Sequence, residues 1–393
     1  MTAPYYRDTW VEVDLDAIES NVKNMRTYLP KNTQLMAVVK ANGYGHGAVE
    51  VAETALGTGA DWLAVAFLDE AIELRLAGIE APILVLGRVR PEDVPIAARY
   101  HISLTVYQTE WLEQAMNFYQ KNDPVFLHVK LDTGMGRLGI RDEESLSRFV
   151  RKLKEDSRFV LEGAYTHFAT ADEEDESYFE EQYKRFQTAL SWLKSDGVNP
   201  NIIHCGNSAA SLKHPEKMFN LVRFGISMYG LSPSPSMKHK LPFQLKEAFS
   251  LYSRLTHVKK VEPDEAISYG ATYRTAGYEW IGTAGIGYAD GWHRRLQEQH
   301  NQVIVNGERC PVIGRICMDQ LMCRLKSEVP AGTKITLIGT DKNECITIDE
   351  IAEQLGTINY EIPCMINERV PRIYLKNKEI IKIKNPLIKG MRL

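Results

Sequence analysis

The chain has 393 residues, of which 44% are hydrophobic and 25% charged, a composition close to that of average soluble globular proteins, which excludes a fibrous or wholly disordered chain. Lys and Arg total 47 against 51 Asp and Glu, so the formal net charge of −4 is too small to indicate a nucleic-acid or anionic-membrane surface. The length predicts two domains, or one barrel with a smaller appendage, and we expect a small-molecule ligand.

The first residues and the cysteines indicate a compartment. No run approaches the ~20 apolar residues of a transmembrane helix, and the start, MTAPYYRDTW, lacks the basic and then apolar pattern of a signal peptide. Six cysteines stand at irregular spacing without a CxxC pair, which fits reduced thiols better than a disulfide framework or a zinc site. We therefore expect a cytoplasmic protein with no metal, membrane or nucleic-acid partner.

Short β-branched runs alternate with helix-period segments from about residue 34 to about residue 230. This alternation is typical of repeated βα units and a parallel sheet. Eight candidate strands predict a (β/α)8 barrel of the TIM type. These candidates are Gln34–Ala41, Trp62–Ala66, Pro82–Gly87, Ile102–Val106, Val125–Asp132, Phe159–Phe168, Asn201–Asn207 and Phe224–Gly230.

The pattern changes after Gly230, where the Ser- and Pro-rich stretch SPSPSMKHKLP predicts a linker. Beyond it, segments such as LYSRLTHVKKVE and KITLIG are strand-like, and only TIDEIAEQLG is helical. The predicted class is therefore α/β + β: an N-terminal (β/α)8 barrel over residues 1–240 and a C-terminal, mainly β domain over residues 241–393. An early strand at about residues 8–15 could pair with either domain, which the sequence leaves open.

Lys40 stands at the end of the first barrel strand, directly before a glycine-rich turn. In such barrels the carboxyl ends of the strands form the catalytic face. Burial favours the neutral amine, which is the form that makes a Schiff base with an aldehyde. A solvent-exposed rim lysine is the alternative, which the neighbouring glycines weaken. Because Gly43, Gly45 and Gly47 are spaced by two, they do not form the GxGxxG dinucleotide pattern.

The run V-V-K-A-N-G-Y-G-H-G, residues 38–47, resembles the pyridoxal-phosphate attachment motif of the alanine racemase family. In that family the lysine holds the cofactor covalently. The barrel, the linker, the β-rich second domain and several later motifs correspond too, so the resemblance covers essentially the whole chain. It implies an enzyme that interconverts L-alanine and D-alanine with pyridoxal phosphate and supplies D-alanine for the peptidoglycan of the cell wall.

A phosphate in a barrel is typically held after strands seven and eight, where backbone N–H groups and helix N-termini point outward. Ser208 after strand seven can offer a hydroxyl, and Gly225 and Ile226 can offer backbone amides. Asn207–Ser208 alone would rather predict a helix N-cap. The resemblance implies a cofactor phosphate bound by these residues and two phenols: Tyr44, Asn207, Ser208, Gly225, Ile226 and Tyr360.

Arg223 has no obvious acidic competitor for the place beside the pyridine nitrogen, where most folds that use this cofactor set a carboxylate. The resemblance implies that Arg223 takes it. A guanidinium keeps its proton, so the ring nitrogen would stay unprotonated and side reactions such as transamination would be disfavoured. The resemblance also places His167, at the end of strand six, beneath the cofactor ring and hydrogen-bonded to Arg223 or the catalytic tyrosine. A surface ion pair and a core histidine are the respective alternatives.

Racemisation removes a proton from one face of a carbon and returns it to the other, so the site needs two bases on opposite sides of the substrate. Lys40 is the first base. By resemblance, the second is Tyr269, in the stretch A-I-S-Y-G-A-T-Y-R. A phenol needs cationic neighbours or hydrogen bonds to act as a base near neutrality, which a network through His167 and Arg223 could provide. A strand aromatic that covers the β-domain core is the alternative.

Arg137 follows strand five in a glycine-rich loop, on the catalytic side. Its guanidinium suits the phenolic oxygen of the cofactor and the substrate carboxylate, although such loops also carry arginines for surface reasons. In some members of the family the residue matching Lys130 is carbamylated and orients this arginine. Met318 and Asp319 resemble the segment that meets the substrate carboxylate.

The resemblance also implies an assembly. In the family, the residues matching Tyr269 and Met318 reach the site from the second subunit, which implies a head-to-tail homodimer with two shared sites. Tyr288, Arg294 and Tyr360 match positions that line the narrow passage into the site and restrict the substrate side chain to a small one.

Three other functions stay open on the sequence. A broad-specificity or serine racemase would need a wider pocket, against which Tyr360 argues. A non-catalytic cofactor carrier could use a one-domain barrel, but it would not need a β domain that carries Tyr269 and Met318. A decarboxylase could share the same two-domain plan, and release of carbon dioxide from a basic amino acid would reveal it.

Overall fold

The computed structural model describes residues 5–388, and these residues form two compact units. We call residues 18–43 and 48–246 the barrel unit, and residues 5–17, 44–47 and 247–388 the sheet unit. The chain crosses from the barrel unit into the sheet unit for the last time between Lys246 and Glu247. The domain boundary at residue 240 stays a prediction.

The strands, in chain order, are β1 (Thr9–Asp14), β2 (Gln34–Val38), β3 (Trp62–Val65), β4 (Ile83–Val85), β5 (Ile102–Val106), β6 (Val125–Lys130), β7 (Phe159–Tyr165), β8 (Ile202–His204), β9 (Leu221–Phe224), β10 (Phe249–Val261), β11 (Ala266–Ile267), β12 (Tyr273–Arg274), β13 (Glu279–Ala284), β14 (Gln302–Val305), β15 (Glu308–Ile313), β16 (Leu321–Leu325), β17 (Lys334–Asp341), β18 (Glu344–Ile346), β19 (Arg372–Lys376) and β20 (Glu379–Lys384).

The helical segments are α1 (Leu15–Tyr28), α2 (Lys40–Tyr44), α3 (Ala48–Gly57), α4 (Leu68–Leu76), α5 (Val94–Arg99), α6 (Thr109–Phe118), α7 (Glu143–Leu153), α8 (Ser177–Ser195), α9 (Ser208–Lys213), α10 (Ile348–Leu355) and α11 (Glu361–Met365). The structure as described contains no helix with both the length and the apolar character that a membrane span requires.

Eight parallel strands of the barrel unit pair in the order β8-β7-β6-β5-β4-β3-β2-β9. Strands β3, β4, β5 and β9 are buried along their whole length, as expected where helices cover a parallel sheet. Between β8 and β9 the Arg223 backbone N–H donates to the Gly206 carbonyl over 3.1 Å, which nearly closes the ring. The predicted barrel is confirmed, and its strand ends lie at one mouth.

The eighth strand corrects the predicted range Phe224–Gly230. Strand β9 begins at Leu221 and ends at Phe224, and residues Ile226–Tyr229 form a 3-10 helix. The break occurs at Gly225, whose φ of −107° and ψ of −106° continue neither a strand nor a helix. Arg223 therefore lies inside the strand rather than at its beginning.

The helix α7 illustrates how the sequence specifies the outer layer of the barrel unit. Its buried residues recur at a helical spacing, so one face of the helix is buried: Leu146, Phe149, Val150 and Leu153. The Asp142 side chain accepts a hydrogen bond from the Ser145 backbone N–H and caps its N-terminus. The amphipathic segment EEQYKRFQTALSWLK forms α8 as predicted.

The sheet unit contains a ten-stranded sheet in the order β18-β17-β14-β15-β16-β13-β10-β1-β19-β20. The early strand β1 belongs to it, because it pairs antiparallel with β10 and parallel with β19. The predicted helix in TIDEIAEQLG is α10, which Thr347 caps and Gly356 ends in a left-handed conformation. The short α11 was not predicted.

Candidate active site

Lys40 opens an unusual turn at the end of β2. The three residues after it have left-handed backbone angles, with φ of 53° at Ala41, 52° at Asn42 and 59° at Gly43, and Tyr44 follows at 51°. Each non-glycine residue in this region costs roughly 1–2 kcal/mol. Such strain persists only where the surroundings fix it, and it is typical of functional sites.

The barrel unit fixes this turn through Glu70. One oxygen of the Glu70 carboxylate accepts from the Ala41 N–H at 2.6 Å. Its other oxygen accepts from the backbone N–H groups of Ala66 at 2.7 Å and Phe67 at 3.2 Å. The Asn42 side chain accepts from the Ala48 N–H at 3.1 Å. Carboxylate hydrogen bonds to backbone N–H groups are strong, so the backbone that carries Lys40 is held in one place.

The predicted phosphate ligands of the barrel unit are brought together. Ser208 begins α9, and its hydroxyl accepts from the Gly225 N–H at 3.0 Å. Asn207 caps the same helix by accepting from the Ala210 N–H at 2.9 Å, as its N-cap alternative requires. The Ser227 hydroxyl is buried with no hydrogen-bond partner among residues 5–388. The Ser208 and Ser227 hydroxyls can each still donate a hydrogen bond, so this small polar cluster could bind an anion.

The rings of Tyr44 and Tyr360 are neighbours in the sheet unit, with centroids 6.3 Å apart and planes tilted by 47°. Burial raises the pKa of the Tyr44 phenol above its usual value, and Tyr360 and Cys364 raise it further. The Tyr44 hydroxyl therefore keeps its proton at neutral pH and can donate to a phosphate oxygen.

The neighbouring Gly45 is fixed by close packing. A Cβ atom there would lie 2.1 Å from the Pro363 carbonyl oxygen, and its φ is +83°. The carbonyl of Gly45 accepts from Nε of the buried Arg372 at 3.2 Å. Nη1 of Arg372 also donates at 2.6 Å to the carbonyls of Asn367 and Val370. The loop that carries Tyr44 is thus locked within the sheet unit.

Arg223 lies inside the barrel unit and is 4% exposed. Its Nη2 donates to the carbonyls of Thr166 at 2.8 Å and Cys205 at 3.0 Å, and lies 3.3 Å from His167 Nδ1. Its Nη1 donates to His204 Nδ1 at 2.7 Å. Burial lowers the pKa of Arg223 to about 10, so the charge persists at neutral pH. Its Nε–H has no acceptor among the described residues and stays available for a ligand.

Three residues behind Arg223 were missed by the sequence analysis: His204, His128 and Glu162. His204 Nε2 lies 3.0 Å from His128 Nδ1, and His128 Nε2 lies 3.2 Å from Glu162 Oε2. The only available signal was position, because His204 ends β8 and His128 stands two residues before Lys130 on β6. A histidine within an apolar strand is otherwise read as a core residue.

Lys130 ends β6 and is 4% exposed. Burial, followed by the charges of Arg137 and Arg223, lowers the pKa of Lys130 to about 8. Asp132 accepts from the backbone N–H groups of Gly134 at 3.1 Å and Gly136 at 2.9 Å, which shapes the loop before Arg137. The Arg137 side chain is exposed.

Tyr269 lies on a strained turn of the sheet unit and is 71% exposed. Ser268 before it has a φ of 68° and a ψ of 180°, and Ala271 has a φ of 47°. The Ser268 hydroxyl donates to the Arg315 carbonyl at 2.7 Å. Strained non-glycine residues that flank a large exposed phenol indicate a functional constraint.

Met318 is 53% exposed, and its loop is clamped within the sheet unit. The Ala289 N–H donates to the Met318 carbonyl and the Tyr288 N–H to the Cys317 carbonyl, both at 3.0 Å. A Cβ atom at Gly287 would lie 2.4 Å from the Met318 carbonyl oxygen, so only glycine fits there. The loop is therefore held against the turn that carries Tyr288.

The Arg369 guanidinium contacts two carboxylates, those of Asp319 and of the buried Asp290. Its Nη2 donates to Asp319 Oδ1 at 2.7 Å, and its Nε lies 3.6 Å from Asp290 Oδ1. Arg7 pairs with the same Asp290 through two hydrogen bonds, of 2.7 Å and 3.0 Å. Nearby, Tyr288 and Arg294 line an open cavity of about 390 Å³.

Comparison with known proteins extends over nearly the whole chain. Residues 13–233 match the family described as alanine racemase, N-terminal domain, and residues 248–374 match the one described as alanine racemase, C-terminal domain. The alanine racemase of Geobacillus kaustophilus (strain HTA426) is 58% identical over 386 residues, covering 98% of this chain and 99% of that relative. Alanine racemase 1 of Bacillus subtilis (strain 168) is 50% identical over 387 residues, 98% of either chain. The crystal structure of alanine racemase from Bacillus anthracis with bound L-Ala-P has a TM-score of 0.96 at 51% identity, and covers 98% of this chain and 99% of that one.

Proposed function

The chain belongs to the alanine racemase family, and on that premise we propose that it interconverts L-alanine and D-alanine with pyridoxal phosphate. The observation that carries the proposal is the buried, charged Arg223, whose Nε–H has no protein acceptor in the described chain. It lies in the barrel unit, whose first strand, β2, ends at Val38, two residues before Lys40. A guanidinium there favours a cofactor ring whose nitrogen accepts a hydrogen bond.

The donor set fits pyridoxal phosphate. Lys40 would supply the amine that holds the cofactor, and Arg223, with His167 beside it, would donate to the ring nitrogen. The phosphate would accept hydrogen bonds from hydroxyl and backbone N–H groups. When bound, the cofactor withdraws electrons from the substrate and acidifies its α-carbon. The proposed phosphate ligands are Tyr44, Asn207, Ser208, Gly225, Ile226 and Tyr360.

Two bases would move the proton. Lys40 would take or return it on one face of the α-carbon, and Tyr269 on the other. The exposure of Tyr269 and Met318 supports a homodimer in which these residues enter the site of the second copy. A large exposed apolar side chain beside a clamped loop is typical of such an interface.

The substrate carboxylate would bind Arg137 and the Met318–Asp319 loop, and a small side chain would fit best. The rigidity of the Met318–Asp319 loop supports this assignment, because donors that are already fixed lose less conformational entropy when a carboxylate binds. Tyr288 and Arg294 would line the passage into the site and exclude larger amino acids. The lowered pKa of Lys130 gives it a neutral amine fraction near pH 8, the form that adds carbon dioxide, so a carbamate there is part of the proposal.

The proposed setting is the cytoplasm, where D-alanine is needed for peptidoglycan precursors. No disulfide joins the cysteines that the structure describes, as in reducing compartments.

The test is to incubate the cofactor-loaded protein with L-alanine in deuterated water. We expect circular dichroism to decay to zero while NMR shows deuterium at the α-carbon. A persistent dichroism signal with cofactor bound at Lys40 would overturn the proposal, and carbon dioxide release would indicate a decarboxylase. Rates with serine and lysine, measured beside alanine, test the small pocket, and a rate with either that exceeds the alanine rate would contradict it.

A further inference from the structure

A continuous line of polar side chains runs through the barrel unit behind Arg223. Arg223 Nη1 lies 2.7 Å from His204 Nδ1, His204 Nε2 lies 3.0 Å from His128 Nδ1, and His128 Nε2 lies 3.2 Å from Glu162 Oε2. Both rings are fully buried, whereas the Glu162 side chain is 22% exposed. The line thus connects a buried cation to a carboxylate that reaches solvent.

The donors and acceptors along this line can be arranged in one way only. A guanidinium has no acceptor, so His204 must accept at Nδ1 and carry its proton on Nε2. His128 must then accept at Nδ1 and carry its proton on Nε2, which donates to the Glu162 carboxylate. Each ring is therefore held as one neutral tautomer. A second proton on His128 would face the N–H of His204 and break the order.

The electrostatics agree with two neutral rings. Burial lowers the pKa of His204 well below 6.5, and Arg223 and His128 lower it further. Burial also lowers the pKa of His128, although Glu162 raises it in part. Both rings thus stay neutral at physiological pH, and neither competes with Arg223 for the positive charge.

The backbone is adapted to this line. Between β6 and β7, Leu127 pairs with Leu161 and His128 with Gly163, so Glu162 is an extra residue in β7. Such bulges redirect a side chain and are rare between parallel strands. A Cβ atom at Gly163 would lie 2.2 Å from His128 Nδ1, so glycine is required for the imidazole to fit.

Neighbouring aromatic rings fix the planes of both histidines. Tyr165 stacks on His204 with centroids 4.6 Å apart and planes 5° apart. The rings of Trp62 and His128 are in edge contact, with their centroids 5.6 Å apart. An apolar core would be simpler to pack and would avoid buried polar groups, so stability alone does not account for this arrangement.

From these contacts we propose that His128 and Glu162 are positioning residues, which by accepting the Nε2 proton of His204 keep its Nδ1 free to accept from Arg223 and thereby hold Arg223 in one orientation toward its ligand. The inference rests on the proposed function, in which Arg223 faces the cofactor ring. Neither residue touches the substrate or the cofactor in this proposal, and both act through His204.

The test compares matched variants of the cofactor-loaded protein labelled with 15N-histidine. His128→Leu removes the acceptor for His204, whereas His128→Gln keeps an acceptor and a donor in similar positions. Ser103→Ala is the control, because Ser103 donates to the same Glu162 oxygen at 2.8 Å but stands outside the line. The measurements are the 15N shifts of His204, the absorption spectrum of the bound cofactor, and kcat and KM for alanine.

In the unchanged protein and in Ser103→Ala, we expect one His204 tautomer with its proton on Nε2. In His128→Leu we expect the other tautomer to appear, the cofactor band to shift, and kcat to fall roughly tenfold at nearly constant KM, as for one lost hydrogen bond. His128→Gln should restore all three. Unchanged His204 shifts and an unchanged cofactor band in His128→Leu would overturn the proposal.

Glu162→Ala provides a second route if His128→Leu fails to fold. It removes the terminal acceptor at a partly exposed position, and we expect a mixture of His204 tautomers, which Glu162→Gln should largely reverse. A single, unchanged tautomer in Glu162→Ala would contradict a role for the carboxylate. These shifts can be read even if alanine is not racemised, so failure of the proposed function and failure of this inference are distinguishable.

Discussion

Arg223 combines full burial with a set of acceptors that only a guanidinium can satisfy together. Its two terminal nitrogens donate to the Thr166 and Cys205 carbonyls and to His204. A lysine would bring the same charge but only one nitrogen, and it would leave several of these acceptors without a donor.

We therefore expect Arg223→Lys to lower the free energy of unfolding by about 2–4 kcal/mol. Urea denaturation of the purified protein measures this. Arg148→Lys, on the exposed face of α7, is the control and should change stability by less than about 0.5 kcal/mol. Equal losses in the two variants would show that the buried acceptors are not what makes Arg223 necessary.

The lowered pKa of Lys130 determines the sign of its contribution to the pH dependence of folding stability. Its pKa is about 8 in the folded chain against 10.5 for an unperturbed lysine. Between these values the unfolded chain binds the proton and the folded chain does not, so this residue makes stability rise with pH in that window. Below pH 8 both states are protonated and the full cost of burying the charge is present.

Lys130→Met removes this cost, so we expect the variant to be more stable at pH 7, by up to about 3 kcal/mol, and the difference to vanish toward pH 10. Urea denaturation at several pH values in CO2-free buffer measures it, with Lys121→Met at an exposed position as control. A stability difference that is the same at pH 7 and pH 10 would contradict a lowered pKa.

The roles of Lys40 and Arg223 stay predictions. The sequence indicated Lys40 through a dense motif after the first barrel strand, but it indicated Arg223 by resemblance alone, and the predicted eighth strand, Phe224–Gly230, did not contain that residue. It could not predict His128 or Glu162. Their side chains meet only because a bulge shifts the register of β7 by one residue, and register is set by packing across strands rather than by local pattern.

Among the elements, the turn after β2 is the most constrained. Gly45 has a φ of +83°, and a Cβ atom would lie 2.1 Å from the Pro363 carbonyl oxygen. Because backbone atoms cannot give way as a flexible side chain can, an added methyl group would displace the loop that carries Tyr44.

We expect Gly45→Ala to destabilise the protein by roughly 3–5 kcal/mol and to weaken cofactor binding. Gly57→Ala is the control, because a Cβ atom at the end of α3 meets nothing within 4 Å; it should stabilise by up to about 1 kcal/mol. Thermal unfolding and titration with pyridoxal phosphate give the two quantities. Tight cofactor binding by a stable Gly45→Ala protein would refute the constraint.

Element types were predictable where a period was clear, as in α8 and the strands of the barrel. The end of β9 was not, because the conformation of Gly225 that stops the strand has no signal beyond the residue itself. The left-handed turn at Ala41 and Asn42 was also beyond prediction, since alanine rarely adopts such angles and does so here under tertiary constraint.

For the whole molecule, the proposed homodimer makes each site depend on both copies. Lys40→Ala and Tyr269→Phe should each abolish racemisation in a pure preparation. In a mixed dimer of the two variants, one site would contain both unchanged residues and the other neither.

Unfolding and refolding the two variants together should therefore restore about a quarter of the normal activity, because half of the dimers would be mixed and each would have one working site. Activity of the mixture is compared with that of either variant refolded alone. No recovery, with mixed dimers demonstrated by differently tagged chains, would place both residues in the site of a single copy.

The two-unit plan was predictable from the change of pattern after Gly230, but the membership of β1 was not. A strand of alternating residues fits either sheet, and only pairing with β10 and β19 decides. Such long-range pairings are fixed by the complete chain rather than by the neighbouring sequence.

The pairing of β1 also has a consequence for synthesis. Thr9–Asp14 leaves the ribosome early, but its partners begin at Phe249 and Arg372. At roughly 5–20 residues per second, the first partner is translated on the order of ten to fifty seconds later. The clamp on the Tyr44 loop comes later still, because Arg372 belongs to the last strands. Until Arg372 has been translated, the nascent chain therefore lacks both the parallel partner of β1 and the contact that holds the Tyr44 loop.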